Sequence, residues 1–405
     1  LELKGKFLYK HSETLGKEIK NYITKYFSFG AFGFWDPFQM KILATVEDLN
    51  SFQRALNMVT SEAIVYHAKR SEYSNWLKSR ALFPLANLFS KVEYEDFENP
   101  EEIREFLIRA IKAYRVYRSR GVISKFSKNT YDEYLGFSRI GEGSLGGKGR
   151  GLAFIDSFLK RHKLFNKYKD VNISIPRTVV LSTEVFDEFM EKHELIGFVA
   201  TCNNDEEILN KFNSKPLPKW VMEDIHVFLN VCKSPVAVRS SSVLEDSHYQ
   251  PFAGVFSTYM IPNTEKGKMA EMIASAVKSV MASAYFENSK IYLKATSHSI
   301  EEDKMAVILQ EVTGKQYDDV YYPNISGVAR SINFYPIELE LRNEGTANIA
   351  LGLGEMIVGG GNTLRFSPYH PKKVLQLSSP GSTQRDTQQY FFGLDMNTDS
   401  YVPST

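Results

Sequence analysis

Apolar positions spaced three and four apart predict amphipathic helices at 151–162, 183–193, 218–231 and 266–286. Between and after them, short apolar runs predict strands at 236–240, 305–312, 327–333, 347–351 and 373–377. From about residue 137 onward these elements alternate and are punctuated by glycine loops, which is an α/β or α+β pattern. Residues 1–128 read differently, as a mixed and mostly helical region. There Asp36-Pro37 splits the apolar runs of FGFWDPFQMKILAT, a turn signal between two strands, and Phe29, Phe32, Phe34 and Trp35 read as hairpin core. The best-marked helix is 100–120, with Asn99 as cap, Pro100 at its first position, Glu102 completing a capping-box-like start and Gly121 ending it. Ile103, Phe106, Leu107, Ala110, Ile111, Tyr114 and Tyr117 make its apolar face. Arg104, Arg109, Lys112, Arg115 and Arg118 fall on the other side and read as a solvated basic face.

A chain of 405 residues has room for two or three domains, each able to bury its own core. The 49 basic and 48 acidic residues leave a net charge of +1, which argues against a nucleic-acid binder working through backbone electrostatics. Cys202 and Cys232 are far apart and match no metal-ligand spacing, so reduced thiols in a cytoplasmic protein are expected. Neither a long apolar run nor a signal-peptide pattern occurs, so a soluble, intracellular protein with no membrane partner is expected. The opening LELKGKFLYK lacks an initiator methionine and the close DMNTDSYVPST is polar, so both ends are expected to be cuts inside a longer chain.

Candidate chemistry starts at GEGSLGGKGRGL, 141–152. Gly141, Gly143 and Gly146 spell G-x-G-x-x-G, yet the acidic ribose-binding residue of a dinucleotide fold has no counterpart about twenty positions on, where Lys160, Arg161, His162 and Lys163 stand. A P-loop needs glycine six residues before the lysine and Ser or Thr after it, and these places hold Glu142 and Gly149. A kinase glycine loop wants an apolar residue at Lys148, and no H-R-D or D-F-G segment follows. What remains is physical: Gly146 and Gly147 let the backbone approach a ligand, Lys148 supplies a compact positive charge, and Gly149 leads into a helix whose amino end favours anions.

A second piece is PVAVRSSSVLEDSHYQPFAGVFSTYM, 235–260. Its first β run delivers Arg239, suited to bidentate grip on phosphate oxygens, to a loop with Ser240, Glu245, Asp246 and His248 before a second β run. In MAVILQEVTG an apolar strand runs into Gln310, Glu311 and Val312, a hinge suited to offering main-chain groups to a purine edge. SGVARSINFYP follows, and then IALGLGEMIVGGGNTLRF, where Glu355 among glycines reads either as a ligand-orienting group or as a turn carboxylate.

Together these pieces resemble the nucleotide-binding domain of the phosphoenolpyruvate synthase and pyruvate phosphate dikinase family, an ATP-grasp fold. GGKGRGL, VAVRSSSVLED with PFAG, MAVILQEV, SGVARSIN and GLGEMIVGG resemble the family's segments in the same order, over roughly 137–378. The resemblance implies a two-lobed domain, with a first lobe at 129–232 and a second at 233–405, behind an N-terminal region at 1–128 of no assigned role. It implies ATP with Mg²⁺ as ligand, and Lys148 and Arg239 as catalytic, phosphate-binding groups. Gly146, Gly147 and Ser240 would stand beside them, Glu245, Asp246 and Glu355 near the phosphates, and Gln310, Glu311 and Val312 along the adenine pocket. In such enzymes a phosphoryl or pyrophosphoryl group passes to a carrier histidine on a swivelling domain and then to pyruvate; both the carrier-histidine and the pyruvate/phosphoenolpyruvate domain would lie outside this chain.

Departures from the family pattern bear on that reading. The acid-x-acid and glutamine-x-arginine strands of the metal clamp have no counterpart in this sequence, so metal ligands stay unassigned. No segment resembles the phosphohistidine motif or the pyruvate-binding barrel. Arg150 replaces a small residue, and in IPRTVVLST Arg177 and Thr178 stand where the family has glycine and an aromatic. Phosphoryl transfer depends on positioning and charge neutralisation, so these gaps motivate a second reading, a catalytically incomplete regulatory or scaffold module with the same fold.

Overall fold

The computed structural model of the chain describes residues 8–92, 97–118, 123–126, 136–164, 167–242, 256–295, 304–397 and 403–404. The chain divides into two units, Leu1–Arg120 and Gly121–Thr405.

The first unit contains α1 (Leu15–Phe27), β1 (Phe32–Asp36), β2 (Lys41–Val46), α2 (Leu49–Leu56), α3 (Ser61–Lys69), α4 (Glu72–Ser79), α5 (Phe83–Phe89) and α6 (Pro100–Arg118). Strands β1 and β2 form the hairpin expected at Asp36-Pro37. Asp36 Oδ1 accepts from the N–H groups of Phe38 (2.8 Å) and Gln39 (2.9 Å), which pins the turn. Phe32 and Phe34 join Phe52, Trp76 and the apolar face of α6 in one core, whereas Phe29 and Tyr117 are exposed. Asn99 caps α6 by accepting from Glu102 N–H at 3.1 Å. Of the basic face expected on α6, Arg109 and Lys112 are exposed, and the Arg118 side chain lies outside the described residues. Arg115 is buried and donates to Gln53 Oε1 at 2.6 Å, and the Arg104 side chain runs back to Glu101 (2.8 Å) and the carbonyl of Leu56. Long arginine stems bury readily once the guanidinium finds acceptors, which a helical wheel does not register.

The second unit contains β3 (Ser124–Lys125), β4 (Phe137–Ile140), α7 (Gly146–Arg161), β5 (Thr178–Leu181), α8 (Thr183–Lys192), α9 (Leu195–Thr201), α10 (Asp205–Asn213) and α11 (Lys219–Val231). It continues with β6 (Val236–Ser242), β7 (Thr258–Ile261), α12 (Lys266–Ser283), α13 (Glu287–Ala295), β8 (Met305–Glu311), β9 (Lys315–Tyr317), β10 (Val320–Tyr322) and β11 (Ser326–Arg330). Last come β12 (Thr346–Ala350), α14 (Glu355–Val358), β13 (Leu364–Phe366), α15 (Pro380–Asp386), β14 (Leu394–Asp395) and β15 (Pro403–Ser404).

A seven-stranded sheet in the order β15-β7-β6-β8-β5-β4-β3 is the frame of this unit. The β3–β4 and β4–β5 pairs are parallel and the others antiparallel. Side chains alternate between the two faces of a strand, and here the faces differ in kind. Val179, Leu181, Val236, Val238, Val307 and Leu309 point into the main core, which α8 to α12 cover. Phe137, Val180, Ala306 and Ile308 point the other way and meet Leu145, Leu152 and Ala153 around α7. The registers Thr178↔Gln310, Ala237↔Gln310 and Arg239↔Ile308 put Thr178, Gln310 and Arg239 on this second face too.

Two three-stranded sheets, β14-β10-β9 and β11-β12-β13, follow β8. The lobe boundary expected at 232 is therefore corrected: β3 to β5 and β6 to β8 share one sheet, and the smaller sheets begin only after residue 314. The reason is topological, because β8 inserts between β5 and β6 and welds the two stretches together. The strand expected at 373–377 is corrected as well. Bonds from Leu377 N–H to Val374 O (3.0 Å) and from Ser378 N–H to Leu375 O (3.0 Å) turn that segment into a short 3₁₀ helix.

Candidate functional site

The glycine loop is fixed by its neighbour, the segment leading into α8. Ser144 N–H donates to Thr183 Oγ1 and Thr183 N–H returns to Ser144 O, both at 3.0 Å, while Glu142 N–H donates to Glu184 Oε2 at 2.5 Å. Gly141 (φ 81°) and Gly143 (φ 88°) occupy the left-handed region this path needs. At the loop's start, Lys125 (3.3 Å) and Arg139 (2.5 Å) flank the Glu142 carboxylate and hold its pKa below the usual value.

Helix α7 begins at Gly146 rather than after Gly149, so Lys148 lies in its first turn. Gly146, at φ 68°, presses its Cα against the backbone of β6: a Cβ there would stand 1.7 Å from Ser241 O. The expectation that Gly146 opens the backbone to a ligand is corrected, since what it admits is the main chain of a strand. Ser241 completes the seam by accepting from Gly149 N–H at 2.9 Å and donating to Leu145 O at 2.7 Å. Gly147 and Gly149 are buried in the same turn.

This seam carries Lys148 to the strand that bears Arg239. Lys148 Nζ lies 3.3 Å from Ser240 Oγ, next in sequence to Arg239. The Arg239 guanidinium donates through Nη1 to Gln310 Oε1 at 3.3 Å, and Gln310 Nε2 donates to Thr178 Oγ1 at 3.0 Å. Lys148, Arg239 and Gln310 are each partly exposed. Residues from α7, β5, β6 and β8 thus form a patch of cations and neutral hydrogen-bonding groups.

Other expected site residues stand elsewhere or are otherwise engaged. Glu311 points to the opposite sheet face, where its carboxylate lies 3.8 Å from Arg177 Nε and accepts from Lys233 N–H at 3.3 Å. The main-chain N–H groups expected to serve a purine edge are taken, Glu311 by Arg177 O (2.9 Å) and Val312 by Pro235 O (2.8 Å). Burial, and then the charge of Glu311, pushes the Cys232 thiol up to about 12. Glu355 opens α14 beside β11 and β12, with its carboxylate against Gly359. Glu245, Asp246 and His248 lie outside the described residues. Thr178 escaped the sequence reading as a site residue; the one signal for it was the departure from glycine and an aromatic after Pro176.

In the smaller sheets, Arg365 grips Glu340 through Nη1 (3.1 Å) and Nη2 (2.7 Å), and Asn333 Nδ2 adds a bond at 2.8 Å. Arg365, burial acting in the other direction and Asn333 together leave the Glu340 carboxyl at about 2. Ile337, Leu339, Val374 and Leu377 help line a cavity of about 350 Å³ beside this pair. Among the described residues, no group of three or more His, Cys, Asp or Glu side chains is arranged to hold a metal ion, and no helix is long and apolar enough to cross a membrane.

The sequence profile of the family described as "Pyruvate phosphate dikinase, AMP/ATP-binding domain" matches residues 142–385, a span that includes Lys148, Arg239, Gln310 and Glu355. An uncharacterized phosphotransferase of Bacillus subtilis, YvkC, is 29% identical over 192 residues, which are 47% of this chain and 21% of that protein. The phosphoenolpyruvate synthase of Aeropyrum pernix is 25% identical over 209 residues, 46% of this chain and 24% of that protein. The chain thus spans about a quarter or less of the length of these relatives. With the profile covering more than half of its residues, the chain belongs to the pyruvate phosphate dikinase AMP/ATP-binding domain family.

Proposed function

We propose that the second unit is an ATP-grasp module, the nucleotide-binding part of a dikinase-like phosphotransferase. Lys148 and Arg239 take the phosphates of ATP, with Gly146, Gly147 and Ser240 shaping the turn and strand that present them. Gln310 and Val312 line the adenine pocket, with the Gln310 amide as its polar contact, while Glu311 faces the other side of the sheet. The family resemblance further suggests Glu245 and Asp246 near the phosphates. Mg²⁺ would arrive with the triphosphate and neutralise part of its charge; the residues that fit the ligand from the described chain are its cations.

The acceptor is a histidine outside this chain, on a carrier domain that delivers the group to pyruvate in a separate domain. A lone pair on its ring nitrogen attacks phosphorus: at the γ position the bond to the β–γ bridging oxygen breaks and ADP leaves. At the β position the bond to the α–β bridging oxygen breaks and AMP leaves. For either step Lys148 and Arg239 orient the triphosphate and offset charge on the leaving oxygens.

One observation carries this reading: the first turn of α7 is docked on β6 so that Lys148 Nζ reaches Ser240, the neighbour of Arg239. A charge-assisted bond to phosphate contributes about 1.5–3 kcal/mol, so Lys148→Ala should weaken ATP binding roughly ten- to a hundredfold. Titration calorimetry with ATP checks this, and equal affinities for the two proteins would remove Lys148 from the phosphate site.

A further inference from the structure

We propose that Thr178 is a positioning residue that sets the purine preference of this site by locking the side-chain amide of Gln310 in one orientation. The inference rests on the reading above, in which Gln310 borders the adenine pocket. Thr178 is fully buried in β5, directly opposite Gln310 of β8. Its hydroxyl donates to Pro176 O at 2.8 Å, and it has only one proton to give. Toward Gln310 the same oxygen must accept, which calls for the amide nitrogen, found 3.0 Å away.

The far end of the amide is constrained independently. Arginine has donors and no acceptor, so the atom of Gln310 facing Arg239 Nη1 at 3.3 Å must be oxygen. Ordinarily the two ends of a glutamine amide exchange places easily and are assigned from their partners. Here both partners demand the same order, nitrogen toward β5 and oxygen toward β6. One N–H and one oxygen lone pair remain to face a ligand, in a fixed sequence.

That fixed sequence distinguishes purines. Adenine presents a 6-amino donor beside a ring-nitrogen acceptor, whereas a 6-oxo purine presents an acceptor beside an N1–H donor. A base tethered by its phosphates enters in one register, so only one of the two patterns meets the locked amide; a freely flipping amide serves both. Arg239 leaves Gln310 when it turns to the phosphates, and Thr178 then holds the orientation alone. The threonine stands where the family has an aromatic residue, which has no hydroxyl acceptor to offer the amide unless it is tyrosine.

The test compares the wild type with Thr178→Val, which keeps the β-branched shape and removes the hydroxyl, and with Thr178→Ser, which restores it. Titration calorimetry with ATP and GTP gives the ratio of affinities. The ratio should favour ATP in the wild type, fall roughly tenfold in the valine variant, as expected for losing one hydrogen bond, and recover in the serine variant. An unchanged ratio in Thr178→Val would overturn the proposal. A second readout needs no nucleotide: with ¹⁵N-glutamine labelling, the Gln310 Nε2 proton bonded to residue 178 should exchange slowly with water in the wild type and serine variant and faster in the valine variant. Should ATP fail to bind at all, the nucleotide reading falls while this measurement still decides whether Thr178 orients Gln310; equal exchange in all three proteins would refute it.

Discussion

Replacing Gly146 with alanine tests the seam on which Lys148 depends. The added Cβ would lie 1.7 Å from Ser241 O and 2.5 Å from Ser241 C and Oγ. Non-bonded heavy atoms settle roughly 3.5 Å apart, so the first turn of α7 has to withdraw from β6 by about 2 Å. Three costs follow. A residue with a Cβ at φ 68° loses about 1–2 kcal/mol to steric strain. The bonds from Gly149 N–H to Ser241 Oγ and from Ser241 Oγ to Leu145 O sit at buried positions, and breaking them costs about 1 kcal/mol each. The total is about 3–4 kcal/mol, read as a lowered urea midpoint for the second unit with an unchanged slope. ATP affinity should fall with it, because Lys148 moves with the helix. Gly151→Ala in the same helix is the control: a Cβ there meets nothing within 4 Å, and helix propensity predicts a gain of about 0.5–1 kcal/mol. Opposite signs at 146 and 151 are expected. A Gly146→Ala protein within about 0.5 kcal/mol of the wild type would refute close helix-on-strand contact as the reason for glycine at 146.

Acid should act on the smaller sheets through Glu340. Its pKa is lowered from 4.5 to about 2, so its pairing with Arg365 stabilises the fold above about pH 4.5 and is lost as pH falls toward 2. Allowing for solvent screening this amounts to about 1–2 kcal/mol, and Glu340→Gln should flatten the stability profile across that window, measured by urea unfolding at stepped pH. Cys232 is expected to resist iodoacetamide at pH 8 in the folded protein and to react once urea exposes it, because its thiol is buried and raised to about 12. Peptide mass spectrometry reads this directly, and rapid modification of Cys232 without denaturant would contradict the placement.

What the sequence revealed and what it hid separate by range along the chain. The hairpin at Asp36-Pro37, the Asn99 cap and the apolar runs of β6 and β8 were legible because a turn residue, a capping side chain or an alternating pattern acts within a few positions. The bonds that build the site span far more: Lys148 meets Ser240 across 92 residues, Arg239 meets Gln310 across 71 and Gln310 meets Thr178 across 132. No local pattern states that β8 inserts between β5 and β6, so neither the Thr178 contact nor the continuity of the sheet through residue 232 was legible. Arg115 was misread for the same reason, since its acceptor Gln53 lies 62 positions away.

Gly146 shows how a correct motif can carry a wrong local explanation. Its glycine was read as room for a ligand, while the structure spends that room on the carbonyl of Ser241. The two demands nevertheless serve one end. Only a residue without Cβ allows α7 to start against β6, and only a helix starting there projects Lys148 beside the strand that carries Arg239. Gly146 therefore acts on Lys148 through the packing of helix on strand, and a side chain at 146 would displace that cation from beside Ser240.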